Sequence, residues 1–120
     1  MFEIKIDSAF WPEQSDPMND RYLFVYTIRI VNIGDKPAQV MSRHWVITDG
    51  FGVTREVRGD GVVGLQPIVA PGESFEYSST CPLSTPYGSM HGEYYCVDGD
   101  GGQFIADIPQ FLLLAENVVH

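Results

Sequence analysis

The stretch Arg21-Tyr22-Leu23-Phe24-Val25-Tyr26-Thr27-Ile28-Arg29-Ile30-Val31-Asn32-Ile33 decides the fold. Tyr22, Phe24, Tyr26, Ile28 and Ile30 fall on alternate positions, and Thr27 and Arg29 occupy the other parity. A period of two with β-branched and aromatic residues is the pattern of a strand with one buried face. Gly34-Asp35-Lys36-Pro37 then turns the chain.

The same pattern recurs on both sides. Phe2, Ile4 and Ile6 alternate with Glu3, Lys5 and Asp7. Ala38 to Asp49 places Trp45 and Ile47 on one face, and Asp49-Gly50-Phe51-Gly52 reads as a hairpin turn. Val53 to Arg58 returns, with Val53, Arg55 and Val57 opposite in parity to Thr54 and Glu56. Glu73 to Thr80 turns Phe75 and Tyr77 inward. Pro82 and Pro86 bracket a turn region from Ser84 to Gly88, where proline limits regular pairing. Met90 to Val97, the tip Asp98 to Gly102, and Gln103 to Ile108 complete the set, with Phe111 to Ala115 extending it past Pro109. The expectation is an all-β antiparallel sandwich of seven to eight strands, one domain over 1–120.

Composition sets limits on function. Seven basic residues against 16 acidic ones give a net charge of −9. Dispersed cations on an acidic chain do not neutralise a row of phosphates, so neither nucleic acid nor an anionic membrane is an expected partner. The N-terminal MFEIKIDSAFW has no basic segment followed by a long apolar run, so no signal peptide is expected. The run FLLLA is too short to span a bilayer. The expected location is cytoplasmic, where Cys81 and Cys96 are free thiols rather than a disulfide. No cofactor and no metal site is expected, because the cysteines have no metal-clip spacing and no close histidine pair.

Gly59-Asp60-Gly61-Val62-Val63-Gly64 matches GxGxxG. A dinucleotide fold needs a helix directly after such a loop. Here Leu65-Gln66-Pro67 follows. Two readings stand: a glycine-rich crossover between sheets, or a backbone nest that binds an anion without a helix. Ser42-Arg43-His44-Trp45 is the second unusual segment. With Trp45 in the core, Arg43 shares its parity and His44 faces away. Either Arg43 packs its stem and pairs with a carboxylate while His44 caps a loop, or Arg43 and His44 bind an anion. A nucleophile drawn from Cys81, Ser78 or Ser79 would need His44 or His91 as its base. Asp98 and Asp100 lack the further ligands of a cation loop. His120 is terminal and expected to fray.

RYLFVYTIRIVN (Arg21 to Asn32), SRHWVITD (Ser42 to Asp49), EVRGDGVVGLQP (Glu56 to Pro67), APGESFEYSS (Ala70 to Ser79), TPYGSMHGEYYC (Thr85 to Cys96) and IPQFLL (Ile108 to Leu113) together closely resemble the ApaG family. The resemblance runs in order from about Asp16 to Leu114. It implies an immunoglobulin-like or fibronectin type III-like sandwich. It also implies a small bacterial protein associated with cobalt tolerance and magnesium efflux, with a diadenosine tetraphosphatase as genetic neighbour. Similar domains in eukaryotic F-box proteins and in a polymerase-delta-interacting protein act as interaction modules. The expected function is therefore a non-enzymatic binding or regulatory domain with a protein partner, recognised by an exposed strand edge or by the 59–72 loop. The alternative is a small phosphate-containing molecule held at Gly59, Gly61 and Gly64 with Arg43, His44 or Arg58, in keeping with the pyrophosphate role suggested for the family's glycine loop. The family supplies no catalytic residues to carry over.

Overall fold

A computed structural model describes residues 1–115; His120 lies outside the described residues. Eight strands are formed within them: β1 (Phe2–Phe10), β2 (Tyr22–Asn32), β3 (Ala38–Asp49), β4 (Thr54–Asp60), β5 (Ile68–Val69), β6 (Ser74–Leu83), β7 (Tyr87–Asp98) and β8 (Gln103–Leu114). Pro12–Gln14 and Pro17–Asn19 form short 3-10 turns between β1 and β2. All the pairings are antiparallel. One sheet has the order β1-β2-β6 and the other β4-β3-β7-β8, with β5 joining β3 beyond the end of β4. The chain switches sheets between β2 and β3, between β5 and β6, and again between β6 and β7. This is the wiring of a two-sheet antiparallel sandwich.

The core lies between the sheets, where the period-two pattern puts it. Phe24, Ile28 and Ile30 of β2 face Val40 and Trp45 of β3, Met90 and Tyr94 of β7, and Ile108 and Leu113 of β8, all buried. Trp45 meets Tyr26 edge-on with ring centroids 5.3 Å apart, and Phe111 at 6.0 Å. Such edge-to-face pairs add to the area they bury. Tyr77 of β6 and Tyr94 of β7 join the sheets through their hydroxyls, 2.5 Å apart. Burial pushes both phenols up from their ordinary value, so both remain neutral bonding partners.

The prolines interrupt less than expected. β6 continues through Pro82, which lies opposite Leu23 on a strand with only one neighbour. An edge strand tolerates a missing donor. β8 runs through Pro109 because the strand bulges there: Met90 pairs with Phe111 and Gly92 with Ile108, leaving one extra residue on β8.

The two long seams of the sandwich differ. Along one, β1 packs on β8, with Ser8 Oγ donating to the Leu112 carbonyl at 2.9 Å and Phe2 against Phe104. Along the other, β4 and β6 are both sheet edges and have no comparable packing. Arg55 Nη2 reaches across that gap to the Pro82 carbonyl at 2.7 Å. β4 is exposed over nearly its whole length.

Candidate functional site

Register on β3 and β4 sorts the candidates onto opposite faces. Arg43 pairs with Gly59, and His44 with Arg58. Because Trp45 is buried, Arg43 and Gly59 face inward, and His44 and Arg58 face solvent. The outer pair already has acidic partners. His44 Nε2 lies 2.6 Å from Glu56 Oε1, its Nδ1 lies 3.8 Å from Glu93, and Arg58 lies 3.5 Å from the same Glu56 oxygen. The exposed Arg58–Glu56 pair holds little energy.

On the inner face, Arg43 Nη1 donates to the carbonyls of Asp60 and Gly61, each at 3.0 Å. Its plane lies over Gly59, where a Cβ would stand 2.8 Å from Nη1. The glycine is therefore the floor on which the guanidinium rests. Sequence reasoning expected a carboxylate partner for Arg43; the structure supplies backbone carbonyls instead.

The glycine segment itself is a tight hairpin on the edge of β3. The amide of Gly61 donates to the Met41 carbonyl at 2.8 Å, where β3 carries a bulge between Val40 and Ser42. Val62 and Leu65 exchange both backbone hydrogen bonds, at 2.7 and 2.9 Å. The central residues Val63 and Gly64 have φ of 43° and 80°, the signature of a type I′ turn. Gly61, with φ of 60°, has no room for a side chain, since a Cβ would lie 2.0 Å from the Leu65 carbonyl. A phosphate nest needs several converging free N–H groups. Here the amides of Gly61, Val62 and Leu65 are spent on protein carbonyls, and the carbonyls of Asp60 and Gly61 point at a cation. Strand β5, not a helix, follows.

What converges instead is the open seam. A cavity of about 260 Å³ lies between the sheets, lined among others by Arg43, Arg55, Tyr26, Tyr77, Ser79 and Cys81. Val62 and Val63 of the hairpin reach it, and Trp45 and Met90 close its apolar wall. No Asp or Glu lines it among the described residues. A second cavity of about 230 Å³ continues along the seam and shares Ile47, Arg55 and Pro82 with the first. Burial raises the Tyr26 phenol, partly offset by its hydrogen bond to Ser79. Burial also raises the Cys81 thiol, with Arg55 pulling the other way.

Of the six candidate positions, then, Arg43 is in the cleft and Gly59 supports it. Gly61 and Gly64 shape the neighbouring hairpin, and His44 and Arg58 sit outside. Arg55 was not singled out from sequence, Tyr77 was read only as an inward-facing residue, and Ser79 only as a possible nucleophile. The parity of Arg55, inward with Val57, was the available signal. Cys81 of β6 lines the cleft between the sheets, whereas His44 of β3 lies on the outer face of the other sheet, and Ser78 is bonded to Thr27 at 2.7 Å. At the β7–β8 tip, Asp98 Oδ1 accepts the amides of Asp100 and Gly102, which hold its carboxyl below the usual range, and Asp100 pairs with Lys36 at 2.5 Å. Among the described residues no group of three or more His, Cys, Asp or Glu is placed to hold a metal ion. Among the same residues no helix is long and apolar enough to cross a membrane.

Fold and cleft together define a small two-sheet β domain with an arginine-lined opening in one seam. The ApaG domain model matches residues 12–98. Protein ApaG of Bordetella pertussis is 53% identical over 117 residues, covering 98% of this chain and 89% of that protein. Protein ApaG of Dechloromonas aromatica is 54% identical over 118 residues, covering 98% and 93%. A crystal structure of a Bordetella pertussis protein, 52% identical, superposes with a TM-score of 0.95 over 98% of this chain and 96% of that one. The chain belongs to the ApaG family.

Proposed function

We propose that the domain is a non-enzymatic binding module that acts in the cytoplasm by docking a protein partner into the seam between β4 and β6. The observation behind this reading is the asymmetry of the sandwich. One seam is packed shut, and the other leaves two strand edges and two connected cavities open. Unpaired edges offer backbone donors and acceptors to an extended segment, and pockets beside them take its alternate side chains. Charges on β4, from Arg55 to Asp60, discourage indiscriminate pairing and leave a specific segment to be chosen. In this reading the family's association with cobalt tolerance and magnesium efflux works through a partner protein rather than through a metal held by this chain.

The test is affinity capture with quantitative mass spectrometry, comparing Val57→Asp in the open seam with Leu112→Asp in the closed one. Val57 is 38% exposed and Leu112 57%, so both variants should fold. The expected result is a partner enriched on the wild type and on Leu112→Asp but reduced at least about tenfold on Val57→Asp, the scale of one well-placed interface contact. Hydrogen exchange should then slow at the free edges of β4 and β6. Equal capture by both variants would overturn the proposal.

A further inference from the structure

We infer that the cleft is an oxyanion seat: Arg43 and Arg55 together take a phosphate or carboxylate group carried by a larger ligand. This deepens, and rests on, the reading of the open seam as the binding site.

Three of the seven Lys and Arg side chains of this acidic chain are ion-paired, and among the described residues Arg21, Arg29, Arg43 and Arg55 are not. Lys5, Lys36 and Arg58 pair with Glu3, Asp100 and Glu56. Among the described residues Arg43 and Arg55 make no ion pair, and both line one inter-sheet cavity without a carboxylate. Their hydrogen bonds go to neutral carbonyls, those of Asp60 and Gly61 for Arg43 and of Pro82 for Arg55. Carbonyls satisfy donors but leave the charge uncompensated, so both guanidiniums keep a full positive charge for an incoming anion. Each guanidinium has five N–H donors. Only Nη1 of Arg43 and Nη2 of Arg55 are bonded to protein groups.

The two arginines are held differently. Arg43 is fixed from below by Gly59 and from the side by two carbonyls, so little order is lost when it binds. Arg55 rises from the exposed edge strand and is held through Nη2 alone, at the Pro82 carbonyl. Around them, Tyr26, Tyr77 and Ser79 offer hydroxyls, and Trp45 closes the apolar wall. Whole small ligands occupy roughly 300–1,000 Å³. A cavity of about 260 Å³ suits one charged head group whose bearer remains outside, in the seam. Paired guanidinium forks match the planar or tetrahedral oxygens of such a group.

The experiment is an amide and arginine side-chain NMR titration of the full chain with inorganic pyrophosphate, with glutarate and with a neutral polyol. It is run on wild type, Arg55→Gln, Arg43→Lys and, as an outer-face control, Arg58→Gln. The expected result is saturable shifts at Arg43, Arg55, Val62, Val63 and residues 77–81, weakened about tenfold in Arg55→Gln, the scale of one charge-assisted bond. Arg58→Gln should titrate like wild type. Whichever of pyrophosphate and glutarate binds more tightly identifies the source of the oxyanion. No seam shifts, or the same affinity in Arg55→Gln as in wild type, would overturn the seat. If such silence accompanies loss of capture in Val57→Asp, the seat falls and the docking module stands. Seam shifts with capture indifferent to Val57→Asp keep the seat and remove the module.

Discussion

At the scale of single residues, the hairpin beside the cleft stores strain in one place and relieves it in another. Val63 is β-branched and sits at a φ of 43°, where a side chain costs about 1–2 kcal/mol. Asn suits that turn position far better. Val63→Asn is therefore expected to stabilise the domain by about 1 kcal/mol, a rise of about 3–6 °C in thermal midpoint. Gly59→Ala should do the opposite. Its new methyl would meet the Arg43 guanidinium, forcing that side chain off its carbonyls at a cost of about 1–3 kcal/mol. Calorimetry reads both, and a lower midpoint for Val63→Asn or an unchanged one for Gly59→Ala would refute the assignment. The glycines were legible in the sequence as a motif, but their purpose was not. GxGxxG is the same string whether its amides cradle a phosphate or its flat backbone supports an arginine. Only the register of β3 on β4, which sets Arg43 over Gly59, decides between them.

At the scale of elements, Asn32 shows what a pattern reading leaves out. It falls on the buried parity of β2 and is 1% exposed. Its Nδ2 donates to the carbonyls of Lys36 and Val69, each at 2.8 Å, and its Oδ1 accepts the Gly34 amide at 2.9 Å. Its backbone bonds Gly72 and Glu73. One amide side chain thus ties the β2–β3 turn and β5 to the end of β2. Asn32→Ala leaves those groups buried without partners and should cost about 2–4 kcal/mol. Denaturant titration measures it, and a loss under 1 kcal/mol would show that water replaces the bonds. Strands with long alternation, β2 above all, were readable because one face of each meets the core. β5 was not, because two residues held by pairing to β3 have no period to display. β4 was readable as a strand with the correct parity, yet its inward residues stay exposed, since position at a sheet edge is a property of the topology and not of the strand.

At the scale of the whole molecule, an unequal pair of seams predicts unequal opening, and the two cysteines report it. Both are free and buried. Cys96 lies mid-sheet on β7, between Val40 and Phe104, and burial pushes its thiol up to about 12. Cys81 lies on the edge strand β6 and lines the open cleft; burial raises its thiol too, with Arg55 partly opposing. The thiolate is the nucleophile, so neither reacts in the closed state near neutral pH. Local opening exposes edges before cores. Pulsed alkylation read by mass spectrometry should therefore label Cys81 faster than Cys96, with Cys96 following global unfolding. Linkage fixes the effect of pH. Both folded thiols hold their protons above the ordinary value of about 8.5, so the unfolded chain loses protons first as pH rises. The stability contributed is complete below about pH 8.5 and declines above it, for Cys96 over the interval up to about 12. An oxyanion in the cleft should slow labelling of Cys81 and leave the Cys81-independent route to Cys96 changed only through global stability. Equal labelling of the two thiols would mean that the sandwich opens as one unit, with no weaker seam to offer a partner.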